Sequence, residues 1–169
     1  MNFFFKNILI FCILIFFTQP SYSEQKLKFV NIDLIIKETK IGSQMLDKIN
    51  KLDQTNINKL NSFEEELKKL EKDIKLKKNI LSDLQFEKEV NDLKIKIADY
   101  NKKKDVMVKK LNETKKKELQ VFFEKINPIV QNYMNINSIE MLFNSKNIFM
   151  GNKNSDLTKQ LIEEINNKI

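Results

Sequence analysis

Through the middle of the chain, apolar residues recur three or four positions apart, and most positions between them are charged or polar. The two interleaved rows of this pattern are Leu60, Leu67, Ile74 and Leu81, and Phe63, Leu70 and Leu84, with Lys77 as the exception. From Ser43 to Ile126 the sequence contains neither Pro nor Gly. A seven-residue repeat over such a stretch is typical of an α-helical coiled coil.

The repeat changes phase near Ser82, which is followed three positions later by Gln85, a spacing that predicts a new helix start. A second apolar row then runs through Val90, Leu93, Ile97, Tyr100, Met107 and Leu111, with interruptions at Lys104 and Thr114. We therefore predict an antiparallel hairpin over residues 43–126, with helices of about 35–40 residues, each about 50–60 Å long. One continuous helix is the alternative. Asp53 and Asn56 interrupt the first helix, so the hairpin should be flexible towards its tip.

The chain before the hairpin reads as a short strand over residues 25–32, rich in β-branched and aromatic side chains. Asp33 is the predicted cap of the brief helix that follows, because its carboxylate can accept from free N–H groups. Gly42 and Ser43 then predict a break and a second cap.

After the hairpin, Pro128 disfavours continuation of the helix. Residues 138–143 and 148–150 read as two strands separated by a turn, and residues 154–156 read as the cap of a last helix. That helix places Leu157, Leu161 and Ile165 on one face. The strands at the two ends can form one three-stranded sheet, with the hairpin inserted between them. The predicted fold class is α+β, mostly helical, with a small sheet head and a long helical hairpin.

A head of three short strands and one helix has few residues with which to form a core. The physical expectation is that several copies complete it together, and a self-sufficient monomer is the alternative. The candidates for a core shared between copies are Phe29, Val30, Met141, Phe143, Ile148 and Phe149.

The first 23 residues have the order of a secretory signal: a short start ending at Lys6, an uncharged apolar run over residues 7–17, and small residues at Ser21 and Ser23. We predict cleavage after Ser23; an uncleaved anchor is the alternative. Cys12 leaves with this segment, so the exported chain would have no disulfide. The predicted division is signal 1–23, head 24–42, hairpin 43–126 and head 127–169.

Composition excludes several chemistries. The chain has no His, one Cys and two Gly, so it lacks the residues of a His-based nucleophile system, a Cys-rich zinc site or a Gly-rich phosphate loop. Glu64, Glu65 and Glu66 are consecutive on a predicted helix and point in different directions, so they do not converge on an ion. No catalytic residue, metal site or cofactor is predicted, and the protein is not expected to be an enzyme.

Charge is unevenly distributed along the hairpin. Residues 94–117 contain ten Lys and three acidic residues, a net charge of +7, whereas residues 64–83 contain six of each sign. This excess favours attraction to acidic proteins or to an anionic lipid surface; a solvated helix face is the alternative. The candidates for contact with a bound protein are Phe86, Tyr100, Lys102, Lys103, Lys104 and Met107.

Three segments resemble one protein family. They are similar to the Skp/OmpH family of periplasmic chaperones, over about residues 26–168. The segments are the opening KLKFVNIDLIIKET, the central LSDLQFEKEV and the closing INPIVQNYMNINSIEMLFNSKNIFMGNKNSDLTKQLIEEIN. In the closing segment, Ser155-Asp156-Leu157-Thr158 stands at the cap of the family's last helix, and Ile139-Glu140-Met141-Leu142 at its strand.

The resemblance implies a periplasmic homotrimer. Its head would be a small barrel of strands from three chains, from which three hairpins surround a cavity. Unfolded outer-membrane β-barrel proteins would be held there without ATP, so that they do not aggregate. A structural coiled-coil protein of the envelope without clients is the alternative. A nucleic-acid-binding protein is disfavoured by the export signal and by the absence of Arg.

Overall fold

The computed structural model describes residues 26–169, and the predicted signal segment lies outside the described residues. In chain order the elements are strand β1 (Leu27–Val30), helix α1 (Ile32–Glu38), helix α2 (Lys40–Lys77), helix α3 (Asp83–Ile136), strand β2 (Met141–Asn144) and helix α4 (Thr158–Lys168). Two 3-10 turns, Ser145–Asn147 and Lys153–Ser155, lie between β2 and α4. The chain is therefore mostly helical, with a small two-stranded sheet.

Helices α2 and α3 contain 38 and 54 residues, which at 1.5 Å per residue is about 57 and about 81 Å. Their contacts pair residues in opposite order along the chain, with Lys48 bound to Glu118 near the head and Lys77 bound to Glu89 at 3.4 Å near the far end. Helix α3 thus folds back along α2. Among residues 26–169, no helix is both long and apolar enough to cross a membrane.

The predicted helix restart at Ser82 is confirmed. Ser82 is the N-cap of α3, and its backbone N–H donates to Oε1 of Gln85 over 3.2 Å. Leu60, Leu67, Ile74 and Leu81 of the first predicted row are all buried or half-buried. The assignment of Leu84 to the row of Phe63 and Leu70 is wrong, because its side chain is 79% exposed. Leu84 lies in the first turn of α3, which begins a new helical phase and does not continue that of α2.

The break before the long helix lies at Thr39, so the prediction of a break at Gly42 and Ser43 is wrong. The buried Thr39 hydroxyl donates to the carbonyl of Ile35 over 2.7 Å and accepts from the N–H of Gly42 over 3.2 Å. It thereby ends α1 and caps α2. A Cβ atom at Gly42 would lie 1.9 Å from the carbonyl oxygen of Ile36. Glycine is needed here because the two helices meet too closely for any side chain.

Two other local predictions are corrected. Helix α1 is capped by Asn31, whose side chain accepts from the N–H of Leu34 over 3.1 Å, and not by Asp33. Helix α3 continues through Pro128 to Ile136, so the predicted interruption is wrong. It ends where Ser138 adopts a φ of 53°, a left-handed conformation that reverses the chain towards β2.

The sheet joins the two ends of the described chain, as predicted. Strands β1 and β2 are parallel, with Leu27 opposite Met141 and Phe29 opposite Phe143. On the other edge of β1, the N–H of Leu157 donates to the carbonyl of Phe29 over 2.9 Å. Between residues 26 and 169 only β1 and β2 form strands.

The predicted strand over residues 148–150 is wrong. Directly after β2, the Asn144 side chain accepts from the N–H of Lys146 over 3.1 Å and starts a 3-10 turn. This turn takes the chain away from the edge of β2, so Ile148, Phe149 and Met150 have no ladder partner among the described residues.

The core lies where the base of the helical pair meets the sheet and α4. Its buried residues are Val30, Ile35, Met45, Phe122, Ile126, Ile139, Leu157, Leu161, Ile162 and Ile165. The predicted apolar face of α4 is confirmed, since Leu157, Leu161 and Ile165 all belong to this cluster. The hydroxyl of Thr158 accepts from the N–H of Asn31 over 2.9 Å and donates to Asp156 over 2.5 Å, which ties the two ends of the chain together.

Candidate functional site

The long helical pair, residues 40–118, is called the arm, and the rest of the described chain is called the head. A groove of about 440 Å³ runs between the two helices of the arm. Its floor is apolar and includes Phe63, Leu67 and Leu70 from α2. Tyr100 and Lys103 of α3 form the opposite wall. Acidic and basic side chains alternate along both rims, so the groove is amphipathic.

A polar bond crosses the arm beside this groove. The hydroxyl of Tyr100, which is half-buried, donates to a carboxylate oxygen of Glu64. The hydrogen bond to the Glu64 carboxylate, together with partial burial and the nearby negative charge, raises the pKa of Tyr100 above its ordinary value. Towards the tip, the Lys75 ammonium bonds to Glu71 at 2.7 Å and lowers the pKa of that carboxyl.

Two of the predicted contact residues, Tyr100 and Lys103, line the same groove. The Lys103 ammonium lies 4.5 Å from the centre of the Phe63 ring, a cation–π contact between the two helices. Met107 is also half-buried, one heptad from Tyr100 towards the head. Phe86 is half-buried too, but it lies 14 residues from Tyr100, about 21 Å along the helix. The structure therefore does not bring all the predicted contacts together.

Lys102 and Lys104 are exposed, as are all ten lysines of residues 94–117. Because successive residues on a helix are about 100° apart, Lys102 and Lys104 point in nearly opposite directions, and Lys103 lies between them. This stretch presents positive charge around α3, and not along a single stripe.

The prediction missed a second set of apolar side chains on the arm, which point outward. Ile57 on α2 and Ile95, Val106 and Val108 on α3 are exposed. None of them falls on a heptad row. An apolar residue off the heptad rows of a coiled coil is expected to face outward, so the sequence did contain a signal for these exposed positions. Val106 and Val108 lie among the lysines of residues 94–117, so apolar and cationic surface alternate there.

In the head, one face of the sheet is apolar and uncovered within a single chain. Side chains alternate along each strand, and the register places Leu27, Phe29, Met141 and Phe143 on the same face. Leu27, Met141 and Phe143 are exposed, and Phe29 is half-buried. We call these four residues the sheet face. The opposite side of the sheet carries Val30 and Leu142 against the core.

The six predicted shared-core residues therefore divide into three groups. Val30 is already buried in the core of one chain. Phe29, Met141 and Phe143 belong to the sheet face. Ile148 is half-buried and Phe149 is fully exposed, in the loop that follows β2. Across residues 26–169, no group of acidic or sulfur-bearing side chains is arranged to hold a metal ion.

The sequence was compared with known families. The model of the family described as "Outer membrane protein (OmpH-like)" matches residues 26–165, which span the sheet, the arm and nearly all of α4. The chain belongs to the OmpH-like family. No protein of curated function matches this sequence.

Solved structures agree with this assignment. Similar chains include the crystal structure of an OmpH-like candidate outer-membrane chaperone from Caulobacter crescentus. It has 15% sequence identity and a TM-score of 0.75, with 87% of each chain covered. At this identity the likeness is one of fold.

Proposed function

We propose that this chain is a periplasmic holdase chaperone, which binds unfolded outer-membrane β-barrel proteins without ATP and prevents their aggregation. Membership of the OmpH-like family supports this, and so does a fold shared with a protein named as a candidate outer-membrane chaperone. The observation that carries the proposal is the alternation of outward apolar and cationic side chains along a slender arm.

The arm suits many weak contacts better than one strong site. Val106 and Val108 offer small apolar areas, and the lysines beside them can lay their methylene stems on apolar client surface while their ammonium groups stay in water. A client that touches many such places remains unfolded, because no single contact is strong enough to order it. Under this proposal the arm, which corresponds to most of the predicted hairpin of residues 43–126, acts as an antiparallel coiled coil that bends around its client.

The head, formed mainly by the predicted head segments 24–42 and 127–169, would assemble three chains. Exposed apolar side chains on the sheet face would be removed from water if copies packed these faces against one another. The free edge of β2 would accept a strand from a neighbour and extend the sheet into the predicted barrel. Three arms would then descend from one side of the head and enclose a cavity.

The test uses the chain from Glu24 to Ile169, which contains every described residue. A urea-unfolded outer-membrane β-barrel protein is diluted into buffer without nucleotide, and its turbidity is followed. Aggregation should be suppressed at about one trimer per client, because one proposed cavity would hold one client chain. Turbidity that is the same with and without the chain would remove the proposal.

Assembly is tested separately by light scattering. The chain should have three times the monomer mass. Phe143→Asp places a charge within the sheet face and should give monomers, because burying an unpaired carboxylate is strongly unfavourable. Ile95→Asp, at an exposed apolar position on the arm, is the matched control and should leave the trimer intact. A monomeric parent chain would contradict the proposed assembly.

A further inference from the structure

One aromatic side chain of the head stands fully in solvent. Phe149 is fully exposed in the loop between β2 and α4, and its neighbour Met150 is 82% exposed. A large apolar ring in water is unfavourable, and aromatic rings contribute strongly to protein interfaces when a partner covers them. Phe149 therefore packs against nothing in its own chain between residues 26 and 169.

The loop that carries Phe149 is anchored at both ends. Asn144 before it and Asn152 after it each cap a 3-10 turn with their side chains. Gly151 lies directly against the ring of Phe29, where a Cβ atom would be 2.7 Å from Cε1 of that ring. The loop is thus held on the sheet face, and Phe149 is presented from a defined place.

A cavity of about 140 Å³ lies between β2 and α3 in the same head. It reaches the core, because the buried residues Val30, Ile126 and Leu161 line it. The rest of its lining is apolar except for Asn127 and Asn144. Sites for small-molecule ligands usually measure about 300–1,000 Å³, so this cavity is sized for one large apolar side chain.

Phe149 does not fill the cavity of its own chain. Gly151 holds the loop against Phe29 on the sheet face, whereas Val30 and Leu142 line the cavity on the opposite side of the sheet. The full exposure of the Phe149 ring also shows that it occupies no cavity. An apolar side chain and an apolar cavity at different places on one molecule are complementary between copies, and they form a heterologous contact.

We propose that the Phe149 ring of one copy inserts into the cavity between β2 and α3 of the next copy. This contact rests on the proposed assembly of three chains, and it names the residues that would hold them together. Each copy gives one ring and receives one, so the contact closes once the third copy binds the first.

The backbone beside the ring supports the same contact. Ile148 is extended, with φ −112° and ψ 122°. The N–H groups of Phe149 and Met150 have no acceptor among the described residues, and there the edge of β2 away from β1 is also unpaired. Residues 148–150 of one copy can therefore pair with β2 of the next, while the ring enters the cavity next to that strand. The strand predicted over these residues would then form only between copies.

An unfolded client is the other candidate occupant of the cavity. Its apolar side chains arrive in no fixed position and in no fixed number. Every copy of this chain, by contrast, carries one anchored ring for one cavity. The equal numbers and the anchored loop favour a second copy.

Cross-linking tests the contact directly. The chain 24–169 contains no Cys, so each introduced thiol is the only one in its protein. Met150→Cys keeps the Phe149 ring, and Asn127→Cys lies at an exposed position of the cavity wall. The two variants are unfolded together in urea, refolded and treated with a short bismaleimide, and a covalent dimer of one with the other should form. Lys125→Cys replaces Asn127→Cys in the matched control; it is also exposed but lies about 200° round α3, so it should give little product.

Two outcomes of the cross-linking would overturn the contact. Equal product with Lys125→Cys and with Asn127→Cys would mean that the reagent reports only random encounters. A covalent dimer formed by Met150→Cys alone, in the same amount as in the mixture, would show that the loops of two copies meet each other.

A second experiment removes the ring. Phe149→Ala should raise the concentration at which the assembly half dissociates by about tenfold or more, because buried aromatic side chains carry a large share of the binding free energy of an interface. Ile136→Ala, at another exposed apolar position of the head, is the matched control and should leave this concentration unchanged. Analytical ultracentrifugation measures both. Equal behaviour of the two variants would remove the role of the ring.

These results are separable from the proposed chaperone function. A parent chain that has trimer mass and suppresses aggregation, but whose variants give no product between Met150→Cys and Asn127→Cys, would remove this contact and leave the function. The cross-linked product from a chain that suppresses no aggregation would leave the contact standing and remove the function.

Discussion

The head and the arm are built from similar residues but packed to different degrees. In the head, Phe122 is 1% exposed and Leu161 and Ile165 are equally enclosed. Between Leu46 and Val121, all of them described residues, Ile74 alone is buried. The polar contacts differ too. In the head, the buried Thr158 bonds to the half-buried Asp156, whereas in the arm the Lys48–Glu118 pair involves an exposed lysine. Tight packing is thus confined to the place where the two ends of the chain meet.

This difference assigns separate mechanical roles. A close-packed core resists deformation, because every displaced side chain loses contacts with its neighbours. A pair of helices joined by half-exposed side chains can bend and separate locally at small cost. We expect amide hydrogen exchange to be slow in the head and to become faster along the arm towards the tip.

The largest expected effect is the loss of a head core side chain. Phe122→Ala should lower the free energy of unfolding by about 3–5 kcal/mol, because it leaves a cavity in the most enclosed part of the molecule. Phe86→Ala, at a half-buried position of the arm, is the matched control and should cost about 1 kcal/mol. Denaturant unfolding followed by circular dichroism measures both. Equal losses would mean that the arm is packed as tightly as the head.

The next effect concerns charge on the arm. Replacing Lys102, Lys103 and Lys104 by Gln should weaken client capture several-fold at low salt and little at high salt, because exposed charges are screened within about 10 Å at 0.1 M. The matched control replaces Lys68, Lys69 and Lys72, which are equally exposed but lie in the charge-balanced stretch of α2. The same loss in both variants, or at both salt concentrations, would reject a specific electrostatic role for residues 94–117.

A smaller effect is expected at the end of α3. Ser138 has a φ of 53°, which Gly adopts with less strain. Ser138→Gly should therefore stabilise the head by about 0.5–1 kcal/mol. The same change at Ser62→Gly, in the exposed interior of α2, should destabilise the arm by a similar amount, because Gly is a poor helix former. Thermal unfolding compares the two, and a shift in the same direction for both would contradict the assigned backbone conformations.

The smallest effect is a pH dependence within the arm. The raised pKa of Tyr100 means that the folded arm holds the phenol proton more tightly than the unfolded chain does. The stabilisation is therefore fully present below the unfolded value of about 10, and it is lost as the pH rises through the higher folded pKa. Ultraviolet titration of phenolate should show that the pKa of Tyr100 is lower in Glu64→Gln than in the parent chain. A titration curve of Tyr100 that is the same in both proteins would show that the Glu64 carboxylate does not hold the phenol proton.

Local patterns predicted the large elements well. The repeat of Leu60, Leu67, Ile74 and Leu81 indicated the seam of the helical pair, and Ser82 with Gln85 indicated where α3 begins. The apolar spacing of Leu157, Leu161 and Ile165 indicated the buried face of α4. These features depend on residues a few positions apart, so sequence spacing alone contains them.

The errors arose where distant residues decide the structure. Thr39 ends α1 because its hydroxyl bridges two helices, and a sequence reading favoured the nearby Gly42, whose use is a close helix approach. Pro128 is accommodated within α3, where neighbouring turns and packing maintain the helix. The apolar residues 148–150 have strand composition but no edge to pair with in one chain. In the arm, the heptad spacing placed Tyr100 on the row that faces α2, where it lines the groove. Ile95 and Val106 lie off the heptad rows, and their exposure depends on how the two helices pack.

The parallel pairing of β1 with β2 has a consequence for how the molecule forms. Leu27 pairs with Met141, so β1 and β2 are separated by more than a hundred residues along the chain. Strand β1 can pair only after all of these residues have been made. Helices form from local contacts in microseconds, whereas such distant pairings carry a large loop-closure entropy and form late. As the chain folds, the arm would thus acquire its shape first. The head, and with it the sheet face, would be the last part to be completed.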